Sequence, residues 1–201
     1  MTIKAFGLPV SPCQDLIDIQ LLRGIDNEPV DAALLPLNRK HLDDFEQFWK
    51  GLLRVSEEED AYWDWVKKER LYASSSSFEK YAIECEQMTQ GLMMIETQGH
   101  RSWFDSDQRI VYVDFLATAP WNRQSFQSPP NYRTVGSILL KFARYRSQEL
   151  GYGGRVGLHA LSRAKPFYEK VGMINCGEDA EKENLTYFEW YRQRPSETDI
   201  G

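Results

Sequence analysis

The hydrophobic pattern of this 201-residue chain changes its period along the sequence, and the order of those periods limits the folds it can adopt. Over residues 39–54 apolar side chains recur every three or four positions, which is the spacing of one helix face. Over residues 78–118 the spacing becomes strand-like, and helix-like and strand-like segments then alternate. We therefore predict an α/β domain with a mixed, mainly antiparallel sheet flanked by helices.

The same pattern predicts the order of the elements. An amphipathic helix is expected over residues 39–54. A second is expected over residues 57–71, because Ser56 and Glu59 form the Ser-x-x-Glu pattern of a capping box. Two later helices are predicted, one ending near residue 151 and one over 163–171, with strands at 18–23 or 32–37, 80–87, 92–98, 109–118, 155–161 and 185–191. The order is roughly β-α-α-β-β-β-α-β-α-β.

The length indicates one domain with decorated ends. Residues 1–30 contain three prolines and two glycines but no sustained period, so we predict an N-terminal extension there. Residues 31–194 are expected to form the folded domain, and residues 195–201 a flexible tail.

Composition argues against several classes of protein. The three cysteines are odd in number and widely spaced, which predicts a reducing compartment and no metal site. No apolar stretch reaches the length of a signal peptide or a membrane span, so we expect a cytoplasmic protein without a membrane partner. The net charge of -6 argues against nucleic acid and suits a cationic substrate such as an amine.

The most specific segment is residues 131–137, which leads into a helix. Backbone N–H groups in the first turn of a helix have no internal partners and, with the helix dipole, attract anions. Gly136 and Ser137 are small enough to let a phosphate approach, and Arg133 can donate a charge-assisted hydrogen bond. On these residues alone two interpretations stay open: an anion site, or a glycine that serves close packing against a neighbouring strand.

Two ordered motifs resemble a known family. Residues 132–140, YRTVGSILL, resemble the Y-R-G-x-G-x-x-L-L run of the GNAT superfamily of N-acetyltransferases. Residues 164–173, AKPFYEKVGM, are similar to the family's A-x-x-F-Y-E-K-x-G-F ending, and residues 113–120 look like the strand before the first motif. The resemblance covers about residues 34–192 and implies the GNAT fold.

The pyrophosphate motif departs from the family pattern at two positions. The family usually has Q/R-x-x-G-x-G/A, and this chain has NYRTVG at residues 131–136. Thr134 stands where the family has a glycine that eases backbone approach, and Asn131 replaces a longer hydrogen-bond donor.

The resemblance implies acetyl-CoA as co-substrate and an amine as acceptor. The pantetheine arm would pair with the strand before the motif, and the turn after it would hold the pyrophosphate. The residues implied in cofactor binding are Leu116, Ala117, Thr118, Asn131, Arg133, Thr134, Val135, Gly136 and Ser137.

The resemblance also implies direct attack of the amine on the thioester, with Tyr168 as the general acid that protonates the leaving thiolate. The alternative is that Tyr168 is an amphipathic core residue. For the general base we choose Asp114, while Glu84, Glu86 and His159 stay open.

Two functions are therefore compared. The first is an N-acetyltransferase acting on an amine of a small molecule or a protein. The second is an acyl-CoA-binding or partner-binding protein of the same fold with little or no transferase activity, which the departures at Asn131 and Thr134 motivate. Exposed edge strands could also pair two copies into a homodimer.

Overall fold

The computed structural model describes residues 16–191. In that part of the chain the strands are β1 (Ile17–Arg23), β2 (Pro29–Pro36), β3 (Phe78–Cys85), β4 (Met88–Glu96), β5 (Val111–Thr118), β6 (Tyr132–Arg133), β7 (Val156–Ala160), β8 (Ile174–Asp179) and β9 (Leu185–Trp190). The helices are α1 (Arg39–Asp44), α2 (Lys50–Arg54), α3 (Trp65–Leu71), α4 (Val135–Glu149) and α5 (Lys165–Lys170). A π-helical turn (Phe45–Trp49) joins α1 to α2, so the predicted first helix is continuous.

All nine strands form one sheet in the order β6-β1-β2-β3-β4-β5-β7-β9-β8. Every pair of neighbours is antiparallel except β5 and β7, which α4 connects and which run parallel. A parallel pair needs a crossover on one face of the sheet, and α4 provides it. The predicted mixed, mainly antiparallel sheet with flanking helices is confirmed.

Helices cover both faces of the sheet and create two separate cores. On one face α4 and α5 bury Leu139, Leu140 and Tyr168 against the central strands. On the other face the helical segment from residue 39 to residue 54 and helix α3 bury Trp49 and Trp65. The periodicity of each helix selects its buried face, because apolar positions three or four residues apart lie on one side.

The structure changes the predicted N-terminal boundary. Of the two candidates for the first strand, residues 18–23 lie in β1 and residues 32–36 in β2, and the two strands pair antiparallel. The predicted boundary at residue 30 therefore cuts through a β-hairpin that belongs to the sheet. Residues 1–15 and the predicted tail at 195–201 lie outside the described residues.

The predicted start of the second helix at residue 57 is wrong, because α3 begins at Trp65 with Asp64 as its N-cap. Ser56 instead donates to the Leu53 carbonyl at 2.6 Å and so ends the preceding helix. Residues 55–64 form an irregular stretch that we call the bridging segment. Its carboxylates bind groups elsewhere in the fold, and those contacts override the local capping signal.

Two strands and one turn were not predicted correctly. β6 and β8 are short or largely exposed, so they lack the apolar alternation that predicts a strand. The β3–β4 hairpin turns at Glu86 and Gln87, both with positive φ, rather than between the predicted strands at 80–87 and 92–98. Among residues 16–191, no helix is long and apolar enough to span a membrane.

Candidate active site

The parallel strands β5 and β7 separate soon after they pair. Their register contains only Val111 with Val156 and Tyr112 with Gly157, whereas β5 continues to Thr118. Beyond that point the facing edges of the two strands have no strand partner within the described chain. We call the gap between residues 113–118 and residues 158–160 the cleft.

A β-bulge at Asp114 accompanies this separation. In the ladder between β4 and β5, Ile95 pairs with Val113 and Met94 with Phe115, so Asp114 has no residue opposite it. Such an extra residue bends its strand and increases the local twist. The bulge also leaves the Asp114 side chain half-buried beside the cleft.

Asp114 has an unusual environment for a carboxylate. Its Oδ2 atom is buried and has no hydrogen-bond partner among the residues described. Burial raises the pKa of Asp114, and the positive charges of Lys68 and Lys182 oppose that rise. A carboxylate with a raised pKa accepts a proton more readily than an exposed one, which suits a general base.

A chain of hydrogen bonds runs beside the same strands. The Tyr112 hydroxyl lies 2.7 Å from His159 Nδ1, and His159 Nε2 lies 3.0 Å from Asp179 Oδ2. Burial lowers the pKa of His159 despite the neighbouring Asp179, which favours the neutral imidazole. The bond pattern assigns the tautomer in which Nε2–H donates to Asp179 and Nδ1 accepts from Tyr112.

The other two base candidates do not reach the cleft. Glu84 accepts a hydrogen bond from Lys40 Nζ at 2.8 Å, and Glu86 accepts one from the Tyr132 hydroxyl at 2.8 Å. Glu84 lies on β3 and Glu86 in the turn that follows it, and β4 separates β3 from β5. Of the four candidates, the structure places Asp114 and His159 on the strands that border the cleft.

The start of α4 has the features of an anion site. Thr134 is the N-cap residue in the left-handed conformation, with φ 73°, and its hydroxyl donates to the Arg133 carbonyl. Within residues 16–191 the N–H groups of Val135, Gly136 and Ser137 donate to no acceptor, and the helix ladder begins with Ile138 to Thr134 at 2.9 Å. Three donors therefore face outward at one place.

Glycine allows close packing at two positions around this helix start. A Cβ built on Gly91 would lie 2.6 Å from Val135 Cγ1, so the glycine lets α4 approach β4 closely. A Cβ on Gly136 would lie 3.1 Å from the Phe167 ring, which joins α4 to α5. The close-packing interpretation of Gly136 is therefore supported, and it does not compete with the anion site because the N–H groups stay free.

Asn131 and Arg133 already have partners in this conformation. Asn131 Oδ1 accepts from Gln127 Nε2 at 2.6 Å, and the Asn131 carbonyl accepts from the Gly24 N–H at 2.8 Å. Arg133 Nη1 donates to Asn27 Oδ1 at 3.0 Å. Both residues hold the turn in place, and their predicted roles as phosphate donors would require Arg133 or Asn131 to exchange partners.

The three residues predicted to hold the pantetheine arm differ in where their backbone groups point. The Ala119 N–H donates to the Gln90 carbonyl on β4. The backbone groups of every second residue in a strand point to the same side, so the N–H and C=O groups of Ala117 also point toward β4. The peptide groups of Leu116 and Thr118 then face the cleft. The Thr118 carbonyl already accepts from Arg123 Nη2 at 2.8 Å.

Tyr168 lies on α5 and is 7% exposed. Its ring packs against Phe167 and Phe188, with centroids 5.2 Å and 5.6 Å away. Burial raises the pKa of Tyr168, which keeps the phenol protonated. Its hydroxyl makes no hydrogen bond within the described part of the chain, so the proton is free for a substrate. The core role and the acid role are compatible, because the ring packs while the hydroxyl stays unpaired.

The bridging segment crosses the end of the cleft. On the β5 side Arg123 binds Asp60 through two hydrogen bonds of 2.7 Å and Glu58 through one of 3.1 Å. On the β7 side the Glu59 carboxylate accepts from the N–H groups of Ser162 and Arg163 at 3.2 Å and 2.7 Å. Residues 58–60 therefore tie together the loops that leave the two strands.

Several residues of the site were missed from the sequence. Tyr112 carried a visible signal, since it alternates with buried apolar positions on a predicted strand. Asp179 gave no signal in the sequence, because β8 was not predicted. Lys68 was missed because the start of its helix was predicted too early in the sequence. Among the described residues, no three His, Cys, Asp or Glu side chains are grouped so that they could hold a metal ion.

Comparison with models of known protein families gave no match, and a sequence comparison with curated proteins gave none either. Solved structures do match. The PaiA N-acetyltransferase from Thermoplasma acidophilum in complex with coenzyme A has a TM-score of 0.55 at 12% identity, over 80% of this chain and 99% of that one.

Two further structures match over a similar length. Aminoglycoside N-acetyltransferase AAC(6')-Iy with a CoA-S-monomethyl-acetylneamine bisubstrate analogue has a TM-score of 0.54 at 11% identity, over 82% of this chain and 99% of that one. Arabidopsis thaliana Naa50 with the bisubstrate analogue CoA-Ac-MVNAL has a TM-score of 0.50 at 14% identity, over 80% and 99%. Together with the separated parallel strands and the crossover helix, these similarities show that the chain has the fold of the GNAT N-acetyltransferases.

Proposed function

We propose that this protein transfers an acetyl group from acetyl-CoA to an amine by direct attack in a ternary complex. The observation that carries the proposal is the separation of β5 from β7 beside the three free N–H groups at the start of α4. An extended thioester arm can pair with an unpaired strand edge, and a pyrophosphate can bind a helix start. The structural neighbours named above, which contain coenzyme A or its bisubstrate analogues, support the same donor.

The donor would be held by groups that the structure leaves available. The N–H groups of Val135, Gly136 and Ser137 would bind the pyrophosphate, and Thr134 would border it. The cleft-facing peptide groups of Leu116 and the N–H group of Thr118 would pair with the pantetheine arm. The Thr118 carbonyl would take part only after it releases Arg123, and Ala117 would contribute less because its peptide groups face β4. Arg133 would reach a phosphate only after it releases Asn27.

The groups proposed for catalysis are Asp114 and the Tyr112–His159–Asp179 chain, beside the separation of the strands, and Tyr168 on α5. Asp114 and the Tyr112–His159–Asp179 chain can accept the proton that the attacking amine must lose. Tyr168 would donate its phenolic proton to the departing thiolate. Holding both substrates together supplies much of the rate enhancement, so no covalent enzyme intermediate is required.

A second function is supported by a specific observation. Asn131 and Arg133 are occupied by partners within the protein, and Thr134 places a β-branched side chain at the position where the phosphate would approach. These features favour weaker donor binding, and so a CoA-binding or partner-binding protein with little transferase activity. The homodimer stays a prediction, and β6 and β8 are the edges of the sheet at which it could form.

Two measurements separate these functions. The first is the thermal unfolding midpoint with and without acetyl-CoA, and the second is the release of free CoA thiol in the presence of a panel of amines. Stabilisation together with amine-dependent thiol release supports the transferase. Stabilisation without thiol release supports the binding protein, and no effect of acetyl-CoA contradicts both.

The substitution Ser137→Asp sharpens this test. A carboxylate in the first turn of α4 suits the helix dipole, so the fold should keep its stability. The same charge would repel a pyrophosphate at the three free N–H groups. We expect the stabilisation by acetyl-CoA to disappear, whereas Ser106→Asp in the β4–β5 loop should leave it unchanged.

A further inference from the structure

Lys68 lies beside the cleft, and no carboxylate of the described residues lies within ion-pair distance of it. It is half-buried on α3, and its Nζ is 3.1 Å from the centroid of the Phe115 ring and 4.8 Å from that of Trp63. Phe115 follows Asp114 on β5, so this contact places the ammonium group beside the bulge. No hydrogen bond or ion pair within 4.0 Å involves Lys68 Nζ among residues 16–191.

Other partly buried lysines of the protein are neutralised by carboxylates. Lys40 Nζ lies 2.8 Å from Glu84, Lys50 Nζ 2.7 Å from Glu46 and Lys80 Nζ 3.3 Å from Glu69. Lys68 has only aromatic faces at short range, and Asp114 and Asp64 act on it from farther away. Burial lowers the pKa of Lys68 to about 8, and those two aspartates oppose the shift. A substantial fraction of Lys68 is therefore a neutral amine at slightly alkaline pH.

The position matters because of where the thioester would lie. If the pantetheine arm pairs with Leu116 and Thr118, the acetyl group points toward the place where β5 and β7 meet. That place is bordered by Asp114 and by Phe115, whose ring contacts Lys68. The nearest amine to the donor is then one of the protein's own side chains.

We propose that Lys68 is a self-acetylation site, which accepts the acetyl group of acetyl-CoA bound in the same molecule. This inference rests on the proposed donor. The neutral Nζ attacks the thioester carbonyl, an N–C bond forms and the C–S bond breaks. The extra proton on nitrogen passes to Asp114, and the CoA sulfur takes the electron pair of the broken bond and a proton from Tyr168.

The reaction would stop after one acetyl group per chain. The product amide carries no charge, so it loses its attraction to the Phe115 and Trp63 rings and cannot attack again. Acetylation would therefore change the charge beside Asp114 and with it the environment offered to an external amine.

The test follows acetylation of the full chain with acetyl-CoA by intact mass, with peptide mapping of the modified lysine. The matched control is Lys67, the exposed neighbour on the same helix. We expect Lys68 to be acetylated more than about tenfold faster than Lys67, because binding holds donor and acceptor together. The rate per molecule should not change when the protein is diluted at saturating acetyl-CoA.

Two variants and one binding measurement decide the outcome. Lys68→Arg keeps the positive charge and should lose the modification, whereas Lys67→Arg should keep it. If acetyl-CoA stabilises the protein but Lys68 reacts no faster than Lys67, the self-acetylation site is contradicted and the proposed donor stands. If acetyl-CoA has no effect on the unfolding midpoint, the donor and the self-acetylation site are both contradicted.

Discussion

The Tyr112 hydroxyl and His159 Nδ1 lie 2.7 Å apart, and this hydrogen bond joins β5 to β7 at the point where the two strands separate. On the far side of the imidazole, Asp179 holds the other nitrogen at 3.0 Å. His100 stacks on the Tyr112 ring with centroids 3.9 Å apart, which covers the phenol. The cleft is thus bordered by a partly buried, oriented chain of groups that can carry a proton.

Asp179→Asn tests this chain. Asp179 opposes the burial that lowers the pKa of His159, so its loss should lower that pKa further. We expect the acid limb of the pH–rate profile to move to lower pH and turnover to fall by about tenfold or more, because the imidazole loses its orienting carboxylate. Glu181→Gln, two residues away, is the control. A profile identical to that of the unmodified protein would remove the chain from the mechanism.

Asp114→Asn should separate stability from activity. The folded pKa of Asp114 is raised by burial, so its contribution to stability is fully present at low pH and is lost as pH rises through the folded pKa. At pH 7 the buried charge is therefore unfavourable, and the amide should raise the free energy of unfolding by about 1 kcal/mol. Turnover should fall, and the decrease in rate at low pH that protonation of Asp114 causes should disappear from the pH–rate profile.

Denaturant unfolding at pH 7 and at pH 4, together with a pH–rate profile, measures both effects. The gain in stability should be larger at pH 7 than at pH 4, since protonation already removes the charge in the original protein. A loss of stability at pH 7 would show that Asp114 has a partner when charged.

Tyr168→Phe should reduce turnover with little change in stability. The ring keeps its contacts with Phe167 and Phe188, and the lost hydroxyl has no partner within residues 16–191. We expect turnover to fall by about a hundredfold if the phenol protonates the thiolate. Tyr62→Phe, at a side chain that is 84% exposed, controls for removal of a hydroxyl. Unchanged turnover would contradict the acid role of Tyr168.

Thr134→Gly should strengthen acetyl-CoA binding. Thr134 has φ 73°, a conformation that costs a β-branched residue about 1 kcal/mol and costs glycine little. Removing the side chain also clears the approach to the α4 N–H groups. A gain of about 1 kcal/mol in binding corresponds to roughly fivefold lower Kd by calorimetry. Thr134→Val keeps the bulk and should show no gain, and equal affinity of both variants would rule out the steric argument.

Arg123→Met should destabilise the fold. Arg123 has a raised pKa because its bonds to Asp60 and Glu58 outweigh burial, and its loss leaves buried carboxylates and the Thr118 carbonyl without a donor. We expect the free energy of unfolding to fall by about 3 kcal/mol in a denaturant titration. The double variant Arg123→Met with Asp60→Asn should recover part of that loss. An additive further loss would show that the pair is not coupled.

Much of the fold could be predicted because its signals are local. The helix over residues 39–54 and strand β9 follow from period alone, and the start of α4 follows from residues 131–137. The bridging segment could not be predicted, since Glu59 of its Ser-x-x-Glu pattern accepts from the N–H groups of Ser162 and Arg163, and the neighbouring Glu58 and Asp60 bind Arg123. An ion pair between residues more than sixty positions apart leaves no periodic trace in the sequence.

The residues of the candidate site also fall into two groups, those that could be named from the sequence and those that could not. Tyr168, Asp114 and the α4 turn could be named from motifs and strand membership. The Tyr112–His159–Asp179 chain could not, because it joins residues that lie on different strands and one of those strands has no apolar alternation.

By itself the sequence determined the order of the main elements, the buried face of each helix and the helix start that can bind an anion. The hydrophobic period and the free N–H groups at a helix start are local features, so they can be predicted without knowing the tertiary contacts. Only the tertiary structure decided that β5 and β7 separate at Tyr112, that Asp114 has no residue opposite it in the β4–β5 ladder and that Lys68 lies over Phe115. Those outcomes depend on register and close packing between distant segments, which no local pattern specifies.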